Sequence, residues 1–529
     1  MKSVAPRKPL LGTANRGRVD FADVAVLLNN EDDVAIAKNA LLPRTVLQRE
    51  GQELVIAQMI PPGHKFAIHA IPKGGDIRRY GQIIGFASTD ITAGQHVHTQ
   101  NVEVHQGELD LDYAFCADYR PVDMVPEAER RTFMGYRRAD GRVGTRNYVA
   151  VLASVNCSST ATRRVAEYFR DNPIMDQFPN VDGVVGFPTK GGCGAHYGSD
   201  YLGLLQRTMA GIIDHPNIGG YIILSLGCET NQPEDLIANT SLNEDAPLVL
   251  TIQQDGGFRQ SVRAGIEAVI NLLPEANKIE REPIPASEIV LALQCGGSDG
   301  WSGVTANPAL GRAADEIVRQ GGTVVLGETS EVYGGEHLLT RRAVSPEVGQ
   351  KLVDKIHWWE DYTSMFGAEI DNNPSPGNKL GGLTTIYEKS LGAIAKAGTT
   401  PMTDVVGYAE RITSRGFVHM DTPGYDPVSV TGQVAGGCNI VCFTTGRGSA
   451  FGFKPAPSIK IATNSDLYAK QEPDMDINAG RMLDGITLDE LSMEIFEQIL
   501  DTASGEKTKS ELDNIGEEEF NPWIIGATL

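Results

Sequence analysis

YVAVLASVN (148–156) runs straight into CSSTATRRVAEYFRD (157–171), and that junction decides the fold. The first piece is a short apolar run fit for a buried strand; the second carries its apolar residues at helical spacing. The couple recurs. VDGVVGF (181–187) leads through a glycine loop to YLGLLQRTMAGIIDH (201–215), and YIILSLG (221–227) precedes SVRAGIEAVINLLPEA (261–276). After Pro283 the pattern returns with EIVLALQ (288–294), NPALGRAADEIVRQG (307–321), GTVVLGET (322–329) and a long helix-like stretch over 347–367. TIYEKSLGAIAKAG (385–398), the strands CNIVCFTTG (438–446) and SIKIATNS (458–465), and a closing helix over 487–505 complete it. Strands alternating with amphipathic helices predict a parallel sheet covered by helices, so the fold class is α/β and Rossmann-like, in one or two domains.

The N-terminal part reads differently. From 20 to 105, short apolar runs are separated by turns at Pro61-Pro62-Gly63, Lys73-Gly74-Gly75 and Ala93-Gly94, with no helical stretch. That predicts a small all-β domain. Residues 106–131 are acidic, aperiodic and proline-bearing, and are assigned to a linker. The α/β region then divides into 132–282 and 283–529, with a soft boundary at Glu282-Pro283.

Composition narrows the function. Lys plus Arg 46 against Asp plus Glu 68 leaves a net charge of −22, which disfavours nucleic-acid partners. No run is long and apolar enough to span a membrane, and the start lacks a secretory apolar region, so the expected compartment is the cytoplasm. Seven cysteines in 529 residues are not a disulfide framework; they are thiols or metal ligands.

Four of them, Cys157, Cys193, Cys228 and Cys295, stand just past the ends of strand-like runs. Ligands of open parallel sheets bind at the carboxyl ends of the strands, so these sulfurs are expected to converge on a metal. The competing reading is that each packs as a small hydrophobe. CGGSDGWSGVTANPALG (295–311) adds glycine backbone and the polar Ser298, Asp299, Thr305 and Asn307, with Asn307 expected to cap the following helix. Arg447, in TTGRGSAFGF (444–453), suits a substrate carboxylate. The prolines and strand that follow leave no helix N-terminus for a pyrophosphate, so a nucleotide loop is rejected. Asn378 and Lys379 in NPSPGNKLGG (373–382) are candidates for an anion contact or a base. Glu328 and Glu331 follow a strand and suit an acid/base pair or a hard metal. In the β domain His64, with His96 and His98 two apart on one strand face, can address one ligand.

GHKFAIHAIPKGGDIRRYGQIIG (63–85), GYRRADGRVGTRN (135–147), LGCE (226–229), CGGSDGWSGVTANP (295–308), NPSPGNK (373–379) and FTTGRGSAFG (443–452) together resemble the altronate dehydratase and galactarate dehydratase family. The resemblance implies an N-terminal SAF-type β-clip domain, a Rossmann-like C-terminal domain and a homodimer. It also implies iron-assisted dehydration of a hexonate or hexarate to a 2-keto-3-deoxy acid. In that chemistry His64, Lys379 or Glu328 is the base, and Arg447 or Arg146, with Asn147 beside it, meets the carboxylate. Three or four thiolates favour a soft site such as an iron–sulfur cluster with one iron open to substrate, whereas the resemblance implies a single ferrous ion on oxygen or nitrogen ligands, with the cysteines around it. A basic residue at Arg341 or Arg342 resembles the galactarate enzymes, whereas HVHTQN (96–101) and CNIVCFTTG look more like the altronate enzymes. The alternatives are a lyase acting on another 2-hydroxy acid such as sulfolactate, a nicotinamide oxidoreductase, and a non-catalytic sugar-acid-binding protein.

Overall fold

The computed structural model describes residues 17–104, 111–240, 248–370 and 373–526. Its N-terminal unit is built from short strands, as the closely spaced turns demand. Four of them, Ala25–Val26, Val34–Ala37, Lys65–Ala67 and His96–Val97, lie side by side in antiparallel order. Two three-stranded sheets flank them. Pairing of Lys65 with Val97 brings His64 alongside the two histidines of the neighbouring strand.

The described part of the expected linker, residues 111–131, lies along the C-terminal unit. Its backbone amides at Cys116, Asp118 and Val125 donate to the carbonyls of Thr340, Arg341 and Arg319. The segment lacks periodicity because its hydrogen bonds go to another part of the chain. Residues 105–110 fall outside the described residues.

Two parallel sheets follow. The middle one has the order Gly183–Phe187, Tyr148–Ala153, Ile218–Ser225, Leu248–Thr251. The helices Asn156–Phe169 and Phe258–Ala276 pack together on this sheet and share its apolar cluster. The helix Asp200–Ile213 instead joins the core shared with the C-terminal unit, where Gly211 meets Ala435 so closely that a Cβ would lie 2.2 Å from the Ala435 carbonyl oxygen. The strands entering and leaving the middle unit, Thr132–Arg137 and Glu282–Pro285, pair antiparallel, which ties the two α/β units together at the soft boundary.

The C-terminal sheet has seven parallel strands. Val290–Cys295 is its first strand in sequence and sits centrally, with Thr323–Leu326, Gly416–Met420 and Met402–Val406 on one side. Ile440–Thr445, Ser458–Ala462 and Ile477–Asn478 lie on the other. Connections from Val290–Cys295 and to Ile440–Thr445 therefore run in opposite directions. This is the switch point at which α/β sheets open a crevice.

Candidate active site

The loops that leave those two central strands form the crevice. One is Cys295–Trp301; the other carries Arg447, whose amide donates to the Gly297 carbonyl at 2.8 Å. Gly297 needs its left-handed backbone (φ 63°) to make this turn. Asp299 is buried beneath the loop, and its carboxylate accepts from Thr463 Oγ1, Asn464 Nδ2 and the Trp301 amide. Burial raises its pKa, although these hydrogen bonds oppose the rise. The Arg447 guanidinium is exposed and has no hydrogen-bonding or ionic partner among the described residues.

Under one end of the loop lies a dense buried cluster. Cys295 Sγ is 3.5 Å from Glu331 and 4.0 Å from Glu328. Lys389 contacts Glu331, and Lys396 lies 3.7 Å from Glu328. Two carboxyls face two ammonium groups, and burial pushes the Cys295 thiol up to about 12, so it stays neutral. The two glutamates are driven apart. Burial and the neighbouring Glu331 raise Glu328 well above the usual range. At Glu331 the charges of Lys389 and Lys396 outweigh burial and lower it. Divergent neighbours of this kind mark an acid and its counterpart. Glu328 also holds a left-handed backbone (φ 65°) that a non-glycine residue rarely adopts. Thr422 fixes it there, accepting the Glu328 amide at 2.6 Å, and Glu328 Oε1 is buried without a partner. Asp426 closes the group. Its carboxylate accepts from Gln294 Nε2 at 3.0 Å and lies so near Gly296 that a Cβ there would sit 2.2 Å from it. Burial raises Asp426 to about 6, leaving it ionised at neutral pH.

At the other end of the loop the N-terminal unit is bolted down. Glu388, in the buried helix Ile386–Ile394, pairs with Lys65 and Arg79 of the β domain, all three buried. Burial alone would raise Glu388, but these two cations bring it down to about 2. Lys65 also donates to the Gly382 carbonyl and Arg79 to the Gly300 carbonyl, both at 2.7 Å. Gly300 is required there: a Cβ would lie 2.1 Å from the Gly63 carbonyl oxygen. The docking sets His64 against residues 380–382, with His64 Nε2 at 3.3 Å from the Leu380 carbonyl. The three rings are 5.0–5.2 Å apart and His64 Nδ1 is 3.0 Å from His96 Nε2. Burial lowers all three, to about 4 for His96 and about 3 for His98, so they are neutral imidazoles. His98 Nδ1 is buried without a partner among the described residues.

These features decide which cluster fits the iron that the resemblance implies. Among the described residues, two sets place three donor atoms within 4.8 Å: His64, His96 and His98, and Cys295, Glu328 and Glu331. The second already faces the ammonium groups of Lys389 and Lys396, which oppose a further cation. The first offers uncharged nitrogens, one of them unsatisfied, and imidazole is a good ligand for iron.

Several expected site residues lie elsewhere. Cys295 does not meet Cys157, Cys193 and Cys228: those three are exposed on the middle sheet, and no set of donors within 4.8 Å includes them among the described residues. The two sheets are separate, so strand ends that correspond in sequence do not coincide in space. Arg146 is buried in a two-pronged pair with Glu511 and in bonds to the Thr502 and Glu506 carbonyls, with nothing left for substrate. Asn147 is consumed by Asp182, Arg138 and the Asn180 and Ala276 carbonyls. Both precede the first strand of the middle sheet, at the edge opposite its strand ends. Arg341 pairs with Asp118, whereas Arg342 is buried, donates to the Gly398 carbonyl and keeps an Nη2 without a partner among the described residues. Asn307 is not the helix cap; it lies inside the first turn, bridging the Gly392 carbonyl and Thr444. Thr305 donates to the Thr463 carbonyl, and Asn378 caps its own short helix while donating to the Ser298 carbonyl. These side chains hold the loops together. Lys379 is half-buried on the same short helix, next to Leu380.

Lys65, Arg79, Glu388, Lys389, Lys396 and Asp426 went unread in the sequence. The signal for three of them was visible: Glu388, Lys389 and Lys396 are the only charges in TIYEKSLGAIAKAG, an otherwise apolar helix.

Three family descriptions match in series. They are the altronate/galactarate dehydratase SAF domain (residues 23–105), the D-galactarate dehydratase/altronate hydrolase second domain (135–277) and the D-galactarate/altronate dehydratase C-terminal domain (286–528). The chain is 36% identical to an altronate dehydratase of Escherichia coli over 491 residues, 92% of this chain and 96% of that protein. It is 39% identical to a galactarate dehydratase (L-threo-forming) of the same organism over 492 residues, 91% and 93% of the two chains. A (2R)-sulfolactate sulfo-lyase subunit beta of Chromohalobacter salexigens is 32% identical over 401 residues, 74% of this chain and 97% of that subunit. The chain belongs to the altronate/galactarate dehydratase family.

Proposed function

We propose that this hydro-lyase removes water from a 2,3-dihydroxy hexonate or hexarate and releases a 2-keto-3-deoxy acid. The observation that carries the reading is the placing of two carboxyl groups, Glu328 and Asp426, at one strand-end crevice whose second loop bears Arg447, exposed and without a partner among the described residues. Arg447 takes the substrate carboxylate through parallel hydrogen bonds. Asp426, ionised above about pH 6, accepts the proton from the carbon next to that carboxylate. Glu328, kept protonated by burial and Glu331, gives its proton to the departing hydroxyl, which leaves as water as the C3–O bond breaks. The resulting enol takes a proton at C3 to become the ketone, and solvent restores both carboxyls. Glu328 is therefore cast as acid rather than base. His64 is reserved for a cation shared with His96 and His98. When bound, ferrous iron there supplies Lewis-acid stabilisation of the enediolate.

A homodimer acting in the cytoplasm is part of the proposal and is supported by the family resemblance. Among the described residues no helix is long and apolar enough to cross a membrane.

The test is a product assay on anaerobic, ferrous-loaded protein across hexonates, hexarates and sulfolactate, using semicarbazide to trap keto acids. The expected result is a keto product from a hexonate or hexarate. Product from sulfolactate alone reassigns the lyase, and product from none leaves a binding protein. Deuterium exchange at the substrate's second carbon separates the roles. Glu328→Gln should retain exchange while losing dehydration, and Asp426→Asn should lose both; exchange surviving in Asp426→Asn returns the base to Lys379 or His64.

A further inference from the structure

The three cysteines left outside the active site are gathered in their own place. Cys157, Cys193 and Cys228 follow three adjacent strands of the middle sheet, Tyr148–Ala153, Gly183–Phe187 and Ile218–Ser225, at the same edge. Their loops interlock. The Asn156 amide donates to the Gly191 carbonyl and the Asn231 amide to the Gly192 carbonyl, at 2.9 and 3.0 Å. Ser154 Oγ donates to the buried Glu229 at 2.5 Å, and Asn231 Nδ2 to the Ser154 carbonyl at 2.9 Å. Gly192 touches Val155 so closely that a Cβ would sit 2.7 Å from the Val155 Cα. Each cysteine is thus one or two residues from a shared knot at Ser154–Val155, and all three are exposed.

The surroundings suit an anionic group. Cys157 is the second residue of a 14-residue helix, so it sits at the positive end of the helix dipole, which favours a thiolate. The donor type bears on the kind of metal. Thiolates around one tetrahedral ion stand roughly 3.8 Å apart. These three sulfurs do not all fall within 4.8 Å of one another, so they are not set for one such ion, and soft thiolates are the ligands that iron–sulfur cores take.

We propose that Cys157, Cys193 and Cys228 hold a four-iron, four-sulfide cluster on the middle unit, distinct from the dehydration site. Each thiol loses its proton to solvent as its sulfur binds one iron of a preassembled core. The fourth iron has no protein sulfur and stays open to water or an oxygen ligand. The site does not depend on the assignment of the dehydration residues.

The experiment uses the full chain, reconstituted anaerobically with iron, inorganic sulfide and dithiothreitol, then desalted. The expected result is about four acid-labile sulfides per chain, with a broad charge-transfer absorbance that dithionite bleaches. The combined Cys157→Ser, Cys193→Ser, Cys228→Ser chain should lose at least nine-tenths of that sulfide. Cys295→Ser and the paired His96→Ala, His98→Ala chain should keep it. Because the variant could fold poorly, alkylation of the unaltered chain gives a second readout. Loading should slow iodoacetamide labelling of these three cysteines at least tenfold, measured peptide by peptide. No labile sulfide in the reconstituted chain, equal sulfide in the triple variant, or unchanged labelling would each overturn the proposal.

Discussion

His64, His96 and His98 on the N-terminal unit and Cys295, Glu328 and Glu331 on the C-terminal unit each bring three donor atoms within 4.8 Å of one another. They meet opposite electrostatic conditions. The histidine set is neutral, partly exposed and short of partners, with His98 Nδ1 unsatisfied. The acidic set is buried and already compensated by Lys389 and Lys396. A cation gains new bonds at the first and must displace ammonium groups at the second. Proximity of ligand-type side chains does not define a metal site; the charge they already carry decides. The same loop, Cys295–Trp301, runs from one cluster to the other, so the two serve one crevice in different ways.

Breaking the acidic set should have the largest effect on turnover. Glu328→Gln removes the proton donor while keeping its shape, and kcat should fall by about 10²–10⁴-fold. Steady-state rates on the best substrate check this, and a loss below tenfold removes Glu328 from the chemistry. Next comes the bolt between the two regions. Glu388→Ala leaves Lys65 and Arg79 buried without their counter-charge, a change that costs about 3–5 kcal/mol. Urea denaturation monitored by fluorescence should show it, and a shift under 1 kcal/mol would mean the domains are held by something else.

Acidity should pull the two regions in opposite directions. His96 and His98 have folded pKa values below the ordinary 6.5, so the unfolded chain binds more protons. Their contribution to stability is present above pH 6.5 and is lost as pH falls toward about 4 and about 3. Asp426 is raised to about 6, so its contribution is present below the ordinary carboxylate range and is lost as pH rises through about 6. Metal-free melting profiles over pH 4–8 should change below about pH 6.5 in both cases, with opposite sign: His96→Ala, His98→Ala should lessen the loss of stability toward acid, and Asp426→Asn should remove a loss that otherwise develops as pH rises to about 6. The smallest effect belongs to Cys295→Ser. A neutral thiol that neither binds metal nor moves a proton can be replaced at about 1.5 kcal/mol or less, and turnover should stay within about tenfold.

Periodicity made both parallel sheets and the β domain legible, because strand and helix spacing is a local property. The pairing of His64 with His96 and His98 was half legible: their alternation was visible, but the neighbour was set by a turn at Gly63 and a strand register 32 residues away. The convergence of four sulfurs failed for a topological reason. The cysteines end strands of two different sheets, and position relative to a strand does not say which sheet holds it. Arg146 looked available because sequence does not show its partner Glu511, 365 residues on. Charges inside the helix Ile386–Ile394 were readable and passed over. In a buried helix, such charges must have partners, and here the partners are Glu331 and the β domain.

Iron K-edge X-ray absorption of the chain carrying Cys157→Ser, Cys193→Ser and Cys228→Ser, loaded anaerobically with one ferrous equivalent, tests the division of labour most directly. The expected spectrum has a nitrogen and oxygen first shell with imidazole outer-shell scattering, lost when His96 and His98 become alanine and unchanged in Cys295→Ser. A sulfur in the first shell, or iron retained without the two histidines and lost with Glu331→Gln, would contradict it.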